Sequence, residues 1–576
     1  MASNPRTRYD DLERAREKKF GVHYKWIALS NTTLGVLLAV MNGSIIIISL
    51  PAIFAGIGIN PLSSGNIGLL IWLLLGYLVV SASIVVTIGR LSDMFGRVKL
   101  YNLGFLMFTI SAIGLYISSL YVTGATEAIL MIVMRLIEGV GAGLIFANST
   151  AILTDAFPHT ERGRAMGINM IAGSGGSIIG LVLGGILASF DWHLVFLVSV
   201  PISVIGTIWA YLALHEVAII KKDQHFDFLG NAALSSAIVI LLVSITYGLL
   251  PYGSASDGWG NPLVVAGVAL SLVLLALFVF IETKVKDPMF HLSLFKIKAF
   301  SAGCLSLFMA GMAWGGLQFM MIIWLQGIWL PLHGVSFSNT PLQAGIDLIP
   351  MVIGFLIMGP ISGFLSDRYG ARAFTTSGML LNVIGLLVLA GFPADFNYGY
   401  FAIAIFVIGC GQGMFAAPNT TAIMNSVPPE KRGVASGMRA TFTNISYMFS
   451  IITFFTLLIF GMSASIGPTL YKTLVAQGIS ASVAQQVASL PPTAAIFASF
   501  LGYNPVAALV SKSVLGSLQP SVRDFLTGTV FFPTALEVPF ISGMQEVLII
   551  AAVLAFIAAI ASMMRGPRYI YGDGER

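Results

Sequence analysis

Two copies of one short loop decide the fold of this chain: Gly89-Arg-Leu-Ser-Asp93-Met-Phe-Gly96-Arg97-Val-Lys99 and Gly363-Phe-Leu-Ser-Asp367-Arg-Tyr-Gly370-Ala-Arg372. Each copy links two long apolar runs, and the second begins 274 positions after the first. Two other patterns return in the same order: Gly139-x-Gly141-x-Gly143 as Gly409-x-Gly411-x-Gly413, and Pro158, Arg162, Gly163, Ala165 and Gly167 as Pro428, Arg432, Gly433, Ala435 and Gly437. Such self-similarity indicates an internal duplication, so we expect two similar halves.

The composition is that of a membrane protein. Hydrophobic residues make up 57% of the chain and charged residues 10%, and the mean hydropathy is +0.89. A helix needs roughly 20 apolar residues to cross the hydrocarbon core. By that rule about fourteen spans are predicted, near 28–52, 66–88, 101–121, 128–152, 165–188, 194–215, 229–250, 262–282, 300–330, 343–364, 375–392, 399–424, 437–461 and 541–563. The Arg-rich start has no apolar core followed by a cleavage site, so no removable signal peptide is predicted.

Basic residues lie almost entirely on one predicted side of the membrane. About 26 of the 30 Lys and Arg residues fall in segments that share this side, and only Lys472, Lys512 and Arg523 fall on the other. Because cytoplasmic segments are enriched in basic residues, both termini are predicted to be cytoplasmic. The net charge of +5 is therefore a signal of orientation, and it does not indicate nucleic-acid binding. Cys304 and Cys410 both lie inside predicted spans, which argues against a disulfide or a metal site.

Removing the repeat from the list of spans leaves an extra pair of helices, near 229–250 and 262–282, between six helices and six related helices. The chain is therefore predicted to consist of two bundles, an N-terminal one over 26–215 and a C-terminal one over 299–564. A linker over 216–298 with two inserted transmembrane helices joins them, and the C-terminal bundle includes a long extracytoplasmic loop at about 461–540. Cytoplasmic tails are predicted over 1–25 and 565–576.

At these residues the chain resembles the major facilitator superfamily, and specifically its fourteen-helix drug/proton antiporter branch. The loop from Gly89 to Lys99 matches the family's signature between helices 2 and 3, and Arg135-x-x-Glu138-Gly139 is similar to its buried-arginine motif. The first helix carries Asn42-Gly-Ser44 followed by Leu50-Pro51, where the branch has Asp-x-Thr and Leu-Pro, so Asn42 cannot carry a proton there. The fifth helix has Gly180-Leu181 where the antiporter motif has Gly-Pro. The resemblance implies an all-α, two-bundle transporter with about fourteen transmembrane helices arranged as six, two and six.

The repeated loops supply the candidate gating residues, which are Gly89, Asp93, Gly96, Arg97, Gly363, Asp367, Gly370 and Arg439. A carboxylate such as Asp93 at a helix end accepts hydrogen bonds from the N–H groups that open a facing helix. The candidate partner is the helix that starts near Ser436 and Gly437, with Arg439 close by. Such a contact would close the cytoplasmic side in one state and break in the other. The glycines would permit close approach or tight turns, and Arg97 and Lys99 would either contact anionic headgroups or only set the orientation.

Arg135, Glu138 and Asp347 are the candidate proton-coupling residues, because a charge inside a membrane is costly unless it is paired or hydrated. Arg135 and Glu138 lie three positions apart and so project from one helix face, close enough to pair. Glu138 is either a proton carrier, whose protonation would release the arginine, or part of a permanently charged pair that braces two helices. Asp347 is either a coupling residue or an interfacial carboxylate that external water reaches. The second half has Ile405 at the position of Arg135, so the pair is not duplicated.

Polar and aromatic residues at helical spacing predict a central cleft. The candidates for its wall are Asn31, Asn42, Phe146, Trp314, Gln318, Met321, Gln412 and Asn419. Amides and an indole offer hydrogen bonds and stacking without a fixed countercharge, and methionines adapt to varied ligands. Ordinary helix packing also explains any one of these residues. Together they favour a bulky amphipathic or apolar organic substrate over an ion or a sugar phosphate.

The outer stretch from about Gly461 to Ser542 is apolar but interrupted by prolines. Its short helical pieces are predicted to lie along the outer leaflet. There they would cap the exit of the cleft or guide a lipid-like substrate, or they would form a passive spacer before the last helix.

The expected function is export of small organic compounds, of the multidrug type, through proton antiport by alternating access. The protein would be a monomer in the plasma membrane, in contact with its substrate, protons and the lipid bilayer, driven by the proton motive force without a cofactor. The alternatives are an exporter of a lipid, a siderophore or a secondary metabolite, and a non-transporting membrane sensor. An enzyme is disfavoured, because the sequence has no metal-ligand cluster, activated nucleophile or phosphate loop.

Overall fold

The computed structural model describes residues 23–59, 66–158, 161–217, 227–248, 250, 252–253, 258–285, 288, 290–428 and 431–566. Within these residues every regular element is a helix, and 14 helices are long and apolar enough to cross a membrane, as the sequence predicts. Most of the two predicted tails, and the prediction that no signal peptide is removed, fall outside the described part of the chain.

The helices are numbered in chain order. The first half contains α1 Tyr24–Ile57, α2 Asn66–Phe95, α3 Arg97–Tyr121, α4 Gly124–Ala156, α5 Arg162–Phe190 and α6 Leu194–Ala213. The inserted pair is α7 Phe228–Gly248 and α8 Pro262–Lys284. The second half contains α9 Lys298–Leu332, α10 in two segments, Thr340–Asp347 and Ile349–Tyr369, then α11 Ala371–Ala390, α12 Tyr398–Asn425, α13 Arg432–Ala476 and α19 Phe531–Met563. Five short helices precede α19, namely α14 Ala481–Ala488, α15 Pro492–Phe500, α16 Pro505–Leu509, α17 Lys512–Gly516 and α18 Pro520–Thr527.

Repeated glycines hold the central helix of each half against its neighbours. A Cβ atom built on Gly141 of α4 would lie 2.8 Å from the carbonyl oxygen of Gly104 in α3. A Cβ atom built on Gly411 of α12 would lie 2.5 Å from the carbonyl oxygen of Gly378 in α11. Small residues permit such backbone contact, on which helix association in a bilayer depends because lipid gives no hydrophobic driving force. The two halves therefore make equivalent contacts, as the duplication predicts.

Helix α13 continues to Ala476, so the prediction of a loop from Gly461 is wrong. Gly461 lies where α19 crosses α13, and a Cβ atom on it would lie 2.6 Å from the Cα atom of Gly543. The next turns carry an apolar stripe at four-residue spacing, and its members are buried: Met462, Ile466, Leu470 and Leu474. This stripe keeps the chain helical beyond the crossing. Because α19 also begins earlier than predicted, at Phe531, the outer segment runs only from 477 to 530.

Helix α15 lies inside the protein, so the prediction that the outer pieces rest on the leaflet is wrong for this piece. All residues of Pro492–Phe500 are buried. The helix packs against α9, α13 and α19 of the second half and also against α2 of the first half. The Ser499 hydroxyl donates a hydrogen bond to the carbonyl oxygen of Gly327 at 2.6 Å. A helix that is apolar on all sides is buried on all sides, and here the protein covers it.

The two halves meet closely at the end of the bundle that carries α14–α18, which we call the outer end. A Cβ atom on Gly185 of α5 would lie 2.6 Å from the Cα atom of Leu342 in α10. One built on Gly345 would lie 3.0 Å from the carbonyl oxygen of Leu181. The Gln326 amide of α9 donates to the carbonyl oxygen of Ile48 in α1 at 3.3 Å. These contacts close the outer end of the interface between the halves.

Substitution of Gly180, which lies where α5 contacts α1 within the first half, tests the importance of close backbone packing. A Cβ atom there would lie 2.5 Å from the carbonyl oxygen of Met41, so Gly180→Ala is expected to lower the free energy of unfolding by about 1–3 kcal/mol. Gly175 lies on the same helix with no atom within 4 Å of its Cβ position. Gly175→Ala is therefore the control, expected to be neutral or to stabilise by up to about 1 kcal/mol. Unfolding by sodium dodecyl sulfate in mixed micelles measures both variants, and equal stabilities would contradict the packing argument.

Candidate functional site

A cavity of about 390 Å³ lies between the two halves. Its wall is formed by α1, α2, α4 and α5 from the first half and by α9, α10 and α13 from the second. The volume is in the range of pockets that hold a drug-sized molecule, and it is larger than a bare ion needs. Most of the lining is aliphatic or aromatic, and Arg135 is the one charged side chain among the described lining residues.

Three of the predicted cleft residues lie on this wall, namely Phe146, Trp314 and Gln318. The Gln318 amide also donates to the Ser177 hydroxyl at 3.1 Å and so joins α9 to α5 across the interface between the halves. Whether these side chains bind a substrate stays a prediction.

Other residues of the cavity wall were not predicted from the sequence. They are chiefly the aromatic residues Tyr77 and Tyr447 and the methionines Met170, Met351 and Met448. Tyr447 and Met448 are neighbours on α13, where Thr443 and Asn444 also line the cavity, whereas Tyr77 lies among aliphatic residues of α2. Two signals in the sequence could have found them: the four-residue spacing of polar and lining residues from Thr443 to Met448, and the single phenol of Tyr77 inside an otherwise apolar span.

The other predicted cleft residues do not line this cavity. Met321 and Asn31 are buried, and Tyr101 donates to the main-chain carbonyl of Asn31 at 3.0 Å. Gln412 is half-buried and is not on the wall. Asn419 donates to the carbonyl oxygen of Gly303 at 3.4 Å and accepts a hydrogen bond from Arg565. The Asn419 amide thus lies within the packing of its own half, and Asn31 is buried away from this cavity.

Arg135 and Glu138 form a buried ion pair, in the position that their spacing predicts. Arg135 Nη1 lies 2.7 Å from Glu138 Oε2, and the two side chains are 1% and 0% exposed. Asn42 bridges them, because its amide nitrogen donates to Glu138 Oε1 at 2.9 Å while its oxygen accepts from Arg135. The same nitrogen lies 3.2 Å from the Ser199 hydroxyl. Asn42 is therefore part of this polar group, which corrects its assignment to the cleft wall.

The ion pair reaches the cavity through the arginine. The guanidinium carbon of Arg135 lies 4.3 Å from the centre of the Tyr77 ring, and both residues are on the cavity wall. Tyr77 is held in place by its hydroxyl, which donates to the carbonyl oxygen of Ala39 at 2.8 Å. Glu138 lies behind the arginine, so a change in its charge would alter the electrostatic potential of the wall. In the second half the equivalent position, Ile405, is a fully buried apolar residue.

Asp347 is buried at the break between the two segments of α10. It is 4% exposed, so the interpretation of it as an interfacial carboxylate in contact with external water is wrong. The Gln343 amide donates to Oδ1 at 2.9 Å, while Oδ2 has no hydrogen-bond partner within the described part of the chain. Asp347 is not on the cavity wall, and Met351, one turn further along the chain, is. A role in proton coupling stays a prediction.

Gly96 and Gly370 make the tight turns that the repeated loop predicts, with φ angles of 106° and 86°. Gly89 has no atom within 4 Å of its Cβ position, so it is not a site of close approach. Gly363 has only the Cβ atom of Ala417 nearby, at 3.6 Å. The side chains of Asp93 and Asp367 lie outside the described residues, so the gating contact of Asp93 with the start of α13 and Arg439 stays a prediction.

Of the two roles predicted for Arg97, contact with lipid headgroups is not the one that the structure shows. Its guanidinium lies 2.7 Å from the carboxylate of Asp155 at the end of α4. Both side chains are about one fifth exposed, so this ion pair is largely covered by the protein. The turn at Gly96 directs the residue after it towards α4 rather than towards the bilayer.

Comparison with known proteins gives a consistent set of similarities. The model of the Major Facilitator Superfamily matches residues 32–451. The riboflavin transporter RibZ of Clostridioides difficile (strain 630) is 29% identical over 425 residues, covering 73% of this chain and 86% of that protein. The multidrug transporter protein MdtP of Bacillus subtilis (strain 168) is 26% identical over 481 residues, covering 82% of this chain and 80% of that protein. Among solved structures, a bacterial homologue of the human lysosomal transporter Spinster shares the fold, with a TM-score of 0.52 and 16% identity over 95% of this chain and 99% of that one.

Removal of one member of the ion pair tests its energetic role. Glu138→Ala leaves the Arg135 charge buried without a countercharge, so it is expected to cost about 3–5 kcal/mol of unfolding free energy. Replacing both residues with apolar side chains of similar size, as Arg135→Met with Glu138→Leu, is expected to cost less than the single change, because no buried charge remains. Unfolding in mixed micelles compares the variants, and a double variant that loses as much stability as Glu138→Ala, or more, would contradict this account.

Proposed function

Because this chain belongs to the Major Facilitator Superfamily, a family of membrane transporters, we propose that it exports bulky amphipathic or apolar organic compounds in exchange for protons. The observation that carries the proposal is the cavity between the halves, with a mainly apolar wall and a single, internally neutralised charge. Relatives named as multidrug proteins, such as MdtP, support export of varied compounds. The relative named for riboflavin favours a second candidate, a transporter dedicated to one organic compound.

The cavity wall offers adaptable, neutral contacts. Phe146 and Trp314 come from opposite halves and provide aromatic surfaces, while Gln318 provides a neutral hydrogen-bonding group. Methionines from α5, α10 and α13 add flexible, polarizable surface that suits ligands of different shapes. Since the wall is shared by both halves, a bound molecule contacts both, and its binding depends on their relative position.

Glu138 is the residue we assign to proton coupling. In the described arrangement its carboxylate neutralises Arg135, so a lipophilic cation meets no net positive charge at the wall. A proton on Glu138 would leave the Arg135 charge uncompensated next to the cavity, which would repel a cationic substrate. Proton binding and substrate binding then oppose each other, which is the requirement for antiport. With the predicted orientation, protons enter from outside and substrate leaves in that direction across the plasma membrane, and both termini are cytoplasmic.

Replacement of Glu138 tests the coupling. In liposomes with an imposed pH gradient, a transported compound is expected to collapse the gradient with the unmodified protein but not with Glu138→Gln. Because the amide is neutral like a protonated carboxyl group, this variant is also expected to bind a lipophilic cation more weakly and without dependence on pH. Glu127 offers a matched control, because it is buried on the same helix, accepts a hydrogen bond from Ser118 and is not on the cavity wall. Glu127→Gln is expected to couple normally. Coupling that survives in Glu138→Gln, or that is lost equally in both variants, would exclude the assigned role.

A second variant tests the cavity as the substrate site. Phe146→Ala removes an aromatic surface, and we expect it to weaken binding of tetraphenylphosphonium by about tenfold, which corresponds to about 1.4 kcal/mol. Phe460→Ala is the control, because Phe460 is 64% exposed on α13 and is not on the cavity wall. Equilibrium dialysis of the purified protein measures both affinities. Equal affinities for the two variants would place the binding site elsewhere.

A further inference from the structure

The first half neutralises the start of α3 with its own carboxylates. Glu216 Oε2, just past the end of α6, accepts a hydrogen bond from the backbone N–H of Val98 at 2.9 Å. Asp155 of α4 pairs with Arg97 at 2.7 Å. The first N–H groups of a helix have no partner within the helix and carry a partial positive charge, so an anion there is stabilising.

The second half lacks both of these carboxylates at the equivalent place, the start of α11. Asn425 precedes Pro428 by three positions, as Asp155 precedes Pro158 in the first half. The chain beyond α19 carries Arg565 and Gly566, whereas the chain beyond α6 carries Glu216. The duplication has thus kept the helix start but exchanged the anions around it for an amide and a cation.

A cavity of about 630 Å³ occupies this place in the second half. Its wall includes the start of α11, the end of α10, Asn425 of α12 and the chain just beyond α19. Arg372 lies on the wall as an exposed side chain, and no carboxylate is among the described lining residues. The cavity is therefore a positively charged pocket at the end of the bundle predicted to be cytoplasmic.

Arg565 is the buried charge of this pocket. It is only 7% exposed, and one of its terminal nitrogens donates to Asn419. Among the described residues, its buried Nε and Nη1 atoms have no hydrogen-bond partner. Burial lowers the pKa of Arg565 to about 10, so the side chain is still protonated at neutral pH. A buried guanidinium with two unsatisfied nitrogens is costly unless a ligand with acceptor oxygens completes it.

We propose that this pocket binds a phosphate group, held by Arg565, Arg372 and the first N–H groups of α11. Phosphate oxygens match the planar fork of a guanidinium and the N–H groups of a helix start. The phosphate belongs either to a phospholipid headgroup or to a soluble phosphate compound. Leu380 and Met563 line the same pocket with exposed apolar side chains, 40% and 49% accessible, which gives acyl chains a surface to lie on. The site is separate from the transport cavity and does not depend on the proposed substrate.

Binding of phosphatidylglycerol to the full-length protein tests the lipid source. Native mass spectrometry, with phosphatidylcholine as the reference lipid, is expected to show a preference for phosphatidylglycerol. Arg565→Gln is expected to lower that affinity about tenfold, and Arg372→Gln, which changes an exposed residue and leaves folding intact, a few-fold. Arg368→Gln is the matched control, since Arg368 is an exposed arginine of the same loop that does not line the pocket. It is expected to bind as the unmodified protein does.

Inorganic phosphate tests the soluble source. Thermal unfolding is measured in phosphate and in chloride at equal ionic strength. Stabilisation by phosphate that disappears in Arg565→Gln and Arg372→Gln, without a preference for phosphatidylglycerol, would support a soluble ligand at the same site. The proposal is overturned if the unmodified protein binds neither anion selectively, or if Arg368→Gln weakens binding as much as Arg565→Gln does.

Discussion

Apolar helices gain nothing from the hydrophobic effect when they meet inside lipid, and this constraint shapes the whole molecule. Cohesion depends instead on dispersion between closely packed backbones, and small residues allow that approach. Gly141 and Gly411 bring α4 and α12 against their neighbours in the two halves. Gly180 and Gly185 do the same for α5, on one side with α1 and on the other with α10. The packing of the duplicated halves has therefore been kept although many side chains have diverged.

The polar groups of the first half are arranged within this packing. Arg135, Glu138 and Asn42 are buried and hydrogen-bond to one another, and of the three only the arginine reaches the cavity. The second half has kept the helix but not the charge, because Ile405 stands at the position of Arg135. If Glu138 couples protons as proposed, one protonation event at this unduplicated charge would favour one arrangement of the halves over another.

The two halves also differ in charge at the end predicted to be cytoplasmic, but here the second half carries the cation. There the first half supplies carboxylates to its own helix start, whereas the second half presents Arg565 and an open pocket. Both halves obey the same electrostatic rule, that a helix start favours an anion. They differ in whether the anion comes from the chain or from outside it.

The sequence by itself determined the duplication, the number of spans and the pairing of Arg135 with Glu138, because these depend on composition and on spacing within one helix. It did not determine which amides face the cavity. Gln318 faces the cavity, whereas Asn31 of the first half and Asn419 of the second half are buried away from it. All three are polar residues in apolar helices. Only the tertiary structure decided this, because the rotation of each helix depends on neighbours distant in the chain. For the same reason, only the tertiary structure revealed that two helices cross at Gly461. Helix packing determines which residue a small or polar residue contacts in a bilayer.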